Sequence, residues 1–96
     1  MSKNSAQVVR SRFEIEEQGE VAYLEFDTDG HGWMTLWHTE VPTAMRGHGV
    51  ASELAQSAFE YAKENNLRVD VVCPSATDFL TKHPEYKVLV GKPNPK

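Results

Sequence analysis

Cys73 is the one cysteine among 96 residues. No intramolecular disulfide can form, and a cysteine-rich zinc site is excluded. Positive charge is also scarce: ten Lys and Arg face fourteen Asp and Glu, for a formal charge of −4. Generic nucleic-acid binders carry basic patches, so a nucleic-acid partner is not expected. No apolar run approaches the roughly 20 residues that cross a bilayer, so no membrane partner is expected. The start, Met1-Ser2-Lys3-Asn4-Ser5, has no apolar stretch behind it of the kind a signal peptide needs. The expected location is therefore the cytoplasm. The four histidines and Cys73 show no standard ligand spacing, and no metal is expected. Internal repeats and low-complexity stretches are likewise missing.

What remains is ordinary globular material, 40% hydrophobic and 25% charged. The length suits one domain over residues 1–96, with 1–9 and 91–96 expected to fray. A chain of this size buries roughly two-thirds of its surface on folding, enough for one modest core.

The apolar periodicity divides the chain. Arg12 to Glu17 alternates, with Phe13 and Ile15 on one face, which predicts a half-buried strand. A short turn at Gln18-Gly19-Glu20 leads to a second strand over Val21–Phe26. Asp27-Thr28-Asp29-Gly30-His31-Gly32 is a dense turn signal. Trp33 to Val41 is a third strand, long enough to carry a bend or bulge. Three strands on short turns predict an antiparallel meander. The period then changes. Val50, Leu54, Ala58 and Ala62, with Ala51, Ala55 and Phe59, predict an amphipathic helix of about 17 residues. Asn65-Asn66 ends it through a left-handed C-cap. Leu67 to Cys73 is a fourth strand, parallel to the strand before the helix. Ser75 is the expected N-cap of a short helix that Pro84 stops. Tyr86 to Val90 is either a last strand or an ordered tail. The predicted fold class is α+β, a meander plus a β-α-β crossover with one main helix. The apolar residues on both faces of the strands suit either a covered sheet or a dimer. Trp33, Trp37 and Tyr23 are expected mainly in the core.

The chemistry concentrates in His38-Thr39-Glu40-Val41-Pro42-Thr43-Ala44-Met45-Arg46-Gly47-His48-Gly49-Val50-Ala51. Here a strand ends at a proline, and glycines lead into a helix. A helix N-terminus has four backbone N–H groups without internal acceptors and about half a positive charge. Gly47 and Gly49 leave the backbone bare, so a phosphate can approach it. The N–H groups of Gly47, His48, Gly49, Val50 and Ala51, with Arg46 beside them, form a candidate anion grip. Without a ligand, the same residues would simply start a helix. The pattern is neither a P-loop nor the dinucleotide fingerprint, because no Gly-Lys-Ser/Thr follows and the preceding strands form a meander.

The order strand, Val41-Pro42, loop, Arg46-Gly47-x-Gly49-x-Ala51, helix, strand resembles the GNAT N-acetyltransferase superfamily. More narrowly it is similar to the very short GNAT-like proteins sometimes called the YjdJ-type family. The matching residues are His38-Thr39-Glu40-Val41-Pro42, the glycine motif with Leu54, Cys73, and Pro84-x-Tyr86. The resemblance covers roughly residues 10–90 and implies a GNAT-like fold.

It also implies acetyl-CoA as acyl-donor cosubstrate, with its pyrophosphate on the glycine segment. The strands before and after the helix would splay, and the pantetheine arm would pair with the first of them. A backbone N–H near Glu40 or Val41 would hold the thioester carbonyl. The implied reaction moves an acetyl group to an amine, either a small amine or an exposed lysine. Base candidates are His38 and Glu40, which alternate onto one strand face. Each is alternatively an ordinary side chain, His38 hydrogen-bonded and Glu40 solvated. Cys73 is either a proton donor, a nucleophile passing through an acetyl-cysteine, or an inert buried thiol. The helix that usually carries a tyrosine acid offers Phe79 and Leu80 here, which leaves Tyr86 as the remaining phenol. Only Gln18-Gly19-Glu20 separates the first two strands, where larger relatives place helices. That predicts an open cleft, or a wall supplied by a second subunit. A monomer or weak homodimer fits the chain. A non-catalytic module that binds CoA or acetyl-CoA for regulation is the alternative function.

Overall fold

In a computed structural model the chain is described over Gln7–Val9, by backbone alone, and over residues 11–91. The tail beyond Gly91 and residues 1–6, expected to fray, lie outside the described residues. The elements are β1 (Gln7–Val9), β2 (Arg12–Glu17), β3 (Glu20–Thr28), β4 (Trp33–Glu40), α1 (Val50–Glu64), β5 (Arg68–Val71) and α2 (Pro74–Lys82). Two short 3-10 turns, Thr43–Met45 and Pro84–Leu89, complete the order. The strands form one sheet in sequence order, with β1 to β4 antiparallel and β5 parallel to β4. This is the predicted α+β meander with its crossover. β1 is a correction: Gln7–Val9, expected to fray with the rest of residues 1–9, pair with β2.

Each junction has a local cause. Gln18 and Gly19 both have positive φ, as the right-handed twist of a tight two-residue hairpin requires. At the next turn the Asp29 carboxylate accepts the N–H groups of His31 and Trp33 at 2.6 and 3.1 Å. Those backbone bonds hold its pKa below the usual carboxylate value. α1 stops at Asn65, and Asn66 takes the left-handed conformation at φ +58°, as its sequence predicts. α2 differs from expectation at its start. Cys73, not Ser75, is the N-cap, because Pro74 occupies the first helical position, where its fixed φ fits and its missing N–H costs nothing. The segment Tyr86–Val90 resolves as a 3-10 turn with one parallel bridge, Val69 to Val90.

The core lies on one side of the sheet. Leu54, Ala58, Phe59 and Ala62 of α1 pack onto Phe13, Leu24, Met34, Leu36 and Val69, all buried. Burying a side chain of Leu or Phe size contributes about 1.5–3 kcal/mol. The three aromatic rings expected in the core are not there. Trp37 is half-exposed, while Trp33 and Tyr23 are partly buried. The opposite sheet face is polar and uncovered, with Glu25, Tyr23, His38 and Glu40 side by side through their strand pairing. Among the described residues no helix is long and apolar enough to cross a membrane.

Candidate functional site

β4 carries the decisive irregularity. Leu36 pairs with Phe26, but His38 pairs with Glu25, so Trp37 is an extra residue without a partner. The length of the segment allows either a bend or a bulge, and the structure has the bulge. An extra residue reverses which face the following side chains take. Met34 and Leu36 point to the core. After the bulge Thr39 does so, opposite buried Leu24, while His38 and Glu40 turn out to the open face. Trp37 is turned outward and donates its indole N–H to Asp27 at 3.0 Å.

The same bulge opens a fork. The β4–β5 ladder ends at Leu36 opposite Val71. The N–H groups of Val72 and Cys73 then converge on the Leu36 carbonyl at 3.0 and 3.1 Å. From there β4 follows β3, and the chain after β5 turns into α2. Past the last ladder pair, Thr39 Oγ1 and Cys73 Sγ lie 3.0 Å apart. Cys73 is fully buried.

The elements leaving the fork wall a cleft of about 300 Å³ between the loop after β4, the first turn of α1, and α2. Of the residues expected to hold the cofactor, Val41, Arg46, Gly47, Gly49, Val50 and Ala51 line it, whereas Glu40 and His48 do not. Gly49 is the N-cap of α1 at φ +75°, and Gly47 has φ +81°. A β-carbon at either position would meet nothing within 4 Å, so glycine is needed for the backbone turn and the open space is free for a ligand. No side chain caps α1, and its first-turn N–H groups open beside the cleft. Buried Met45 pins the preceding turn. Arg46 donates from Nε to the Val41 carbonyl at 3.0 Å, which ties the two ends of the loop. On the far wall Ser75, Asp78, Phe79 and Lys82 recur at helical spacing along α2. That spacing was visible in the sequence, but nothing there indicated that α2 faces the glycine turn. Glu53, also in the first turn but not among the cleft-lining residues, has its carboxyl pushed above its usual pKa by desolvation and by Glu17.

The three catalytic candidates are divided between the two sheet faces. His38 Nε2 and Glu40 Oε1 are 3.2 Å apart on the open side, both about half exposed, with the Tyr23 ring 6.2 Å from the His38 ring. Cys73 lies on the helix side, held by Thr39, a residue to which its type alone assigned no role. The Tyr86 phenol is turned to α1, where it donates to Glu60, and its ring packs on Phe59 and Phe79. Its pKa is pushed up to about 12, first by that hydrogen bond and then by desolvation.

In this α+β fold an uncapped helix N-terminus lies beside a pair of strands that part. The comparisons with known proteins give its family. The sequence model of the GCN5-related N-acetyl-transferase family matches residues 12–89, and the chain belongs to this family. Protein NATD1 of Bos taurus is 38% identical over 63 residues, 66% of this chain and 56% of that protein. Protein NATD1 of Danio rerio is 33% identical over 81 residues, 80% of this chain and 74% of the relative. The match thus spans just over half the length of the bovine relative. The solution structure of a GCN5-like protein from Staphylococcus aureus superposes with a TM-score of 0.71 at 25% identity. That superposition covers 99% of this chain and 95% of the other.

Proposed function

We propose that the chain, as a single domain, transfers an acetyl group from acetyl-CoA to an amine, either a small amine or an exposed lysine. The observation that carries this reading is the cleft that joins the glycine-capped start of α1 to the elements leaving the β4/β5 fork. Pyrophosphate would take the first-turn N–H groups near Gly49, Val50 and Ala51, with Arg46 at its side. The pantetheine arm would run along the free edge of β4 past Val41, as an added strand does. The thioester would then lie in the fork, a gap in the plane of the sheet. Its carbonyl would accept a backbone N–H near Glu40 or Val41, which also stabilises the developing oxyanion.

A group in that gap is reachable from both faces. An amine arriving over the open face meets Glu40 and His38 as its base, and Cys73 approaches from the helix side. The open face also leaves room for a lysine presented by a larger partner. Monomer and weak homodimer are both compatible with it, and a cytoplasmic setting suits a free thiol.

A second reading, a regulatory module that binds CoA or acetyl-CoA without turnover, is favoured by one observation. Tyr86 is engaged by Glu60, and α2 presents Phe79 and Leu80, so neither Tyr86 nor α2 offers the fork a phenol as leaving-group acid. Release of CoA thiol from acetyl-CoA across a panel of amines separates the two. The transferase reading predicts turnover, and Cys73→Ala lowers it at least tenfold with acetyl-CoA affinity kept. Binding without turnover selects the regulatory module, and unchanged turnover in the variant removes Cys73 from the chemistry.

A further inference from the structure

With regular alternation β4 would turn His38 and Glu40 inward and Thr39 outward. The extra residue at Trp37 reverses this and sets Thr39 on the helix side, opposite Leu24. Leu24 is fully buried, so the backbone of Thr39 is fixed by the core. A β-branched side chain there has little χ1 freedom. Its hydroxyl meets Cys73 Sγ at 3.0 Å across strands that have already parted. Cys73 is held equally firmly, as N-cap of α2 with its own N–H on Leu36.

A thiol that attacks a thioester must lose its proton, and the departing sulfur must gain one. A hydroxyl both accepts and donates, so one threonine beside the thiol can do both. A valine has the same shape and can do neither.

We infer that Thr39 carries the proton of Cys73 in an acyl transfer to that thiol, an inference that rests on the acetyl-CoA reading above. Cys73 Sγ forms a bond to the acetyl carbon, and the bond from that carbon to the coenzyme sulfur breaks. The thiol proton leaves Cys73 for the Thr39 hydroxyl, which passes its own proton to the leaving sulfur. The products are acetyl-cysteine and free CoA, with no net charge created and no oxidant or reductant consumed. An amine entering the fork then bonds through its nitrogen to the acetyl carbon, the bond from that carbon to Cys73 Sγ breaks, and the proton lost by the amine returns to the thiol, leaving the amide and free Cys73.

The test needs no acceptor. The full chain and its Thr39→Val and Thr39→Ser variants are incubated with acetyl-CoA. Intact and peptide mass spectrometry follow acetyl uptake at Cys73, and amide NMR reports both the fold and acetyl-CoA affinity. The expected result is uptake of one acetyl group by the unaltered chain and by Thr39→Ser. Thr39→Val should bind acetyl-CoA equally well and acetylate at least tenfold more slowly. If Thr39→Val does not fold, Thr39→Ala carries the same expectation. Equal rates in Thr39→Val and the unaltered chain overturn the inference. So does a chain that binds acetyl-CoA but takes up no acetyl, and in that case the acetyl-CoA reading stands. A chain that does not bind acetyl-CoA at all overturns that reading, and the inference falls with it.

Discussion

The Tyr86 phenol donates to the Glu60 carboxylate, and its ring packs against Phe59 and Phe79. An acceptor with full negative charge favours the protonated phenol, which is why its pKa rises to about 12. In the unfolded chain the phenol titrates near its ordinary value of about 10. The folded state therefore keeps this proton to higher pH than the unfolded state does. The contribution is complete below about pH 10 and is lost as pH rises toward the folded value. Tyr86→Phe should lower stability by about 1 kcal/mol at neutral pH, measured by urea unfolding. The gap between variant and parent should shrink between about pH 10 and pH 12. A gap that is constant over that range would mean that the Glu60 bond does not hold the phenol proton. The same contact removes Tyr86 from the role of leaving-group acid, a point its position in the sequence left open.

At the scale of elements, the start of α1 depends on a backbone conformation rather than on a side-chain cap. Gly49 at φ +75° leaves open space where a β-carbon would go. Gly49→Ala should therefore cost about 1–2 kcal/mol from the left-handed backbone alone. It should also weaken CoA binding more than it weakens the fold, because the first-turn N–H groups are re-aimed. Comparing the CoA dissociation constant with the thermal midpoint in this variant checks both effects, and unchanged affinity would detach the glycine turn from the ligand. The glycine turn, α1, its Asn66 cap and the parallel β5 were legible in the sequence because each rests on short-range chemistry. That the segment Trp33–Val41 is long enough for a bend or bulge was also legible, but which of the two, and where, was not. A bulge is set by how β3 and β4 pair, and its consequence is long-range. It puts Thr39 rather than His38 beside Cys73, and it brings Trp37 out of the core. The N-cap of α2 was misplaced for a simpler reason. Ser75 has the side chain of a cap, but Pro74 before it already fits the first helical position.

Over the whole molecule, α1 and α2 cover one face of a five-stranded sheet, and the other face stays polar and open. The fold therefore depends on the core between these helices and the sheet. Phe59, fully buried and stacked on Phe79 with ring centroids 5.7 Å apart, is at its centre. Phe59→Ala should cost about 3–5 kcal/mol, a large part of the stability of a domain this small. Thermal unfolding would show the midpoint falling by well over 10 °C at the ~4–8 °C per kcal/mol typical of this size. A small shift would mean that the core relaxes around the cavity. The chain has only a two-residue turn between β2 and β3, so the open side is formed by strands alone, with Tyr23, His38 and Glu40 along it. In the transferase reading this is the side an acceptor would meet.

The most direct test of the acetyl-CoA reading is an NMR titration of the labelled chain with CoA and acetyl-CoA, following backbone amides. The account predicts shifts concentrated at Gly47–Ala51, at Glu40 and Val41, and at Cys73 where the fork closes. Amides that do not move at millimolar ligand would leave the glycine turn as a helix start alone, and the transferase reading would be wrong.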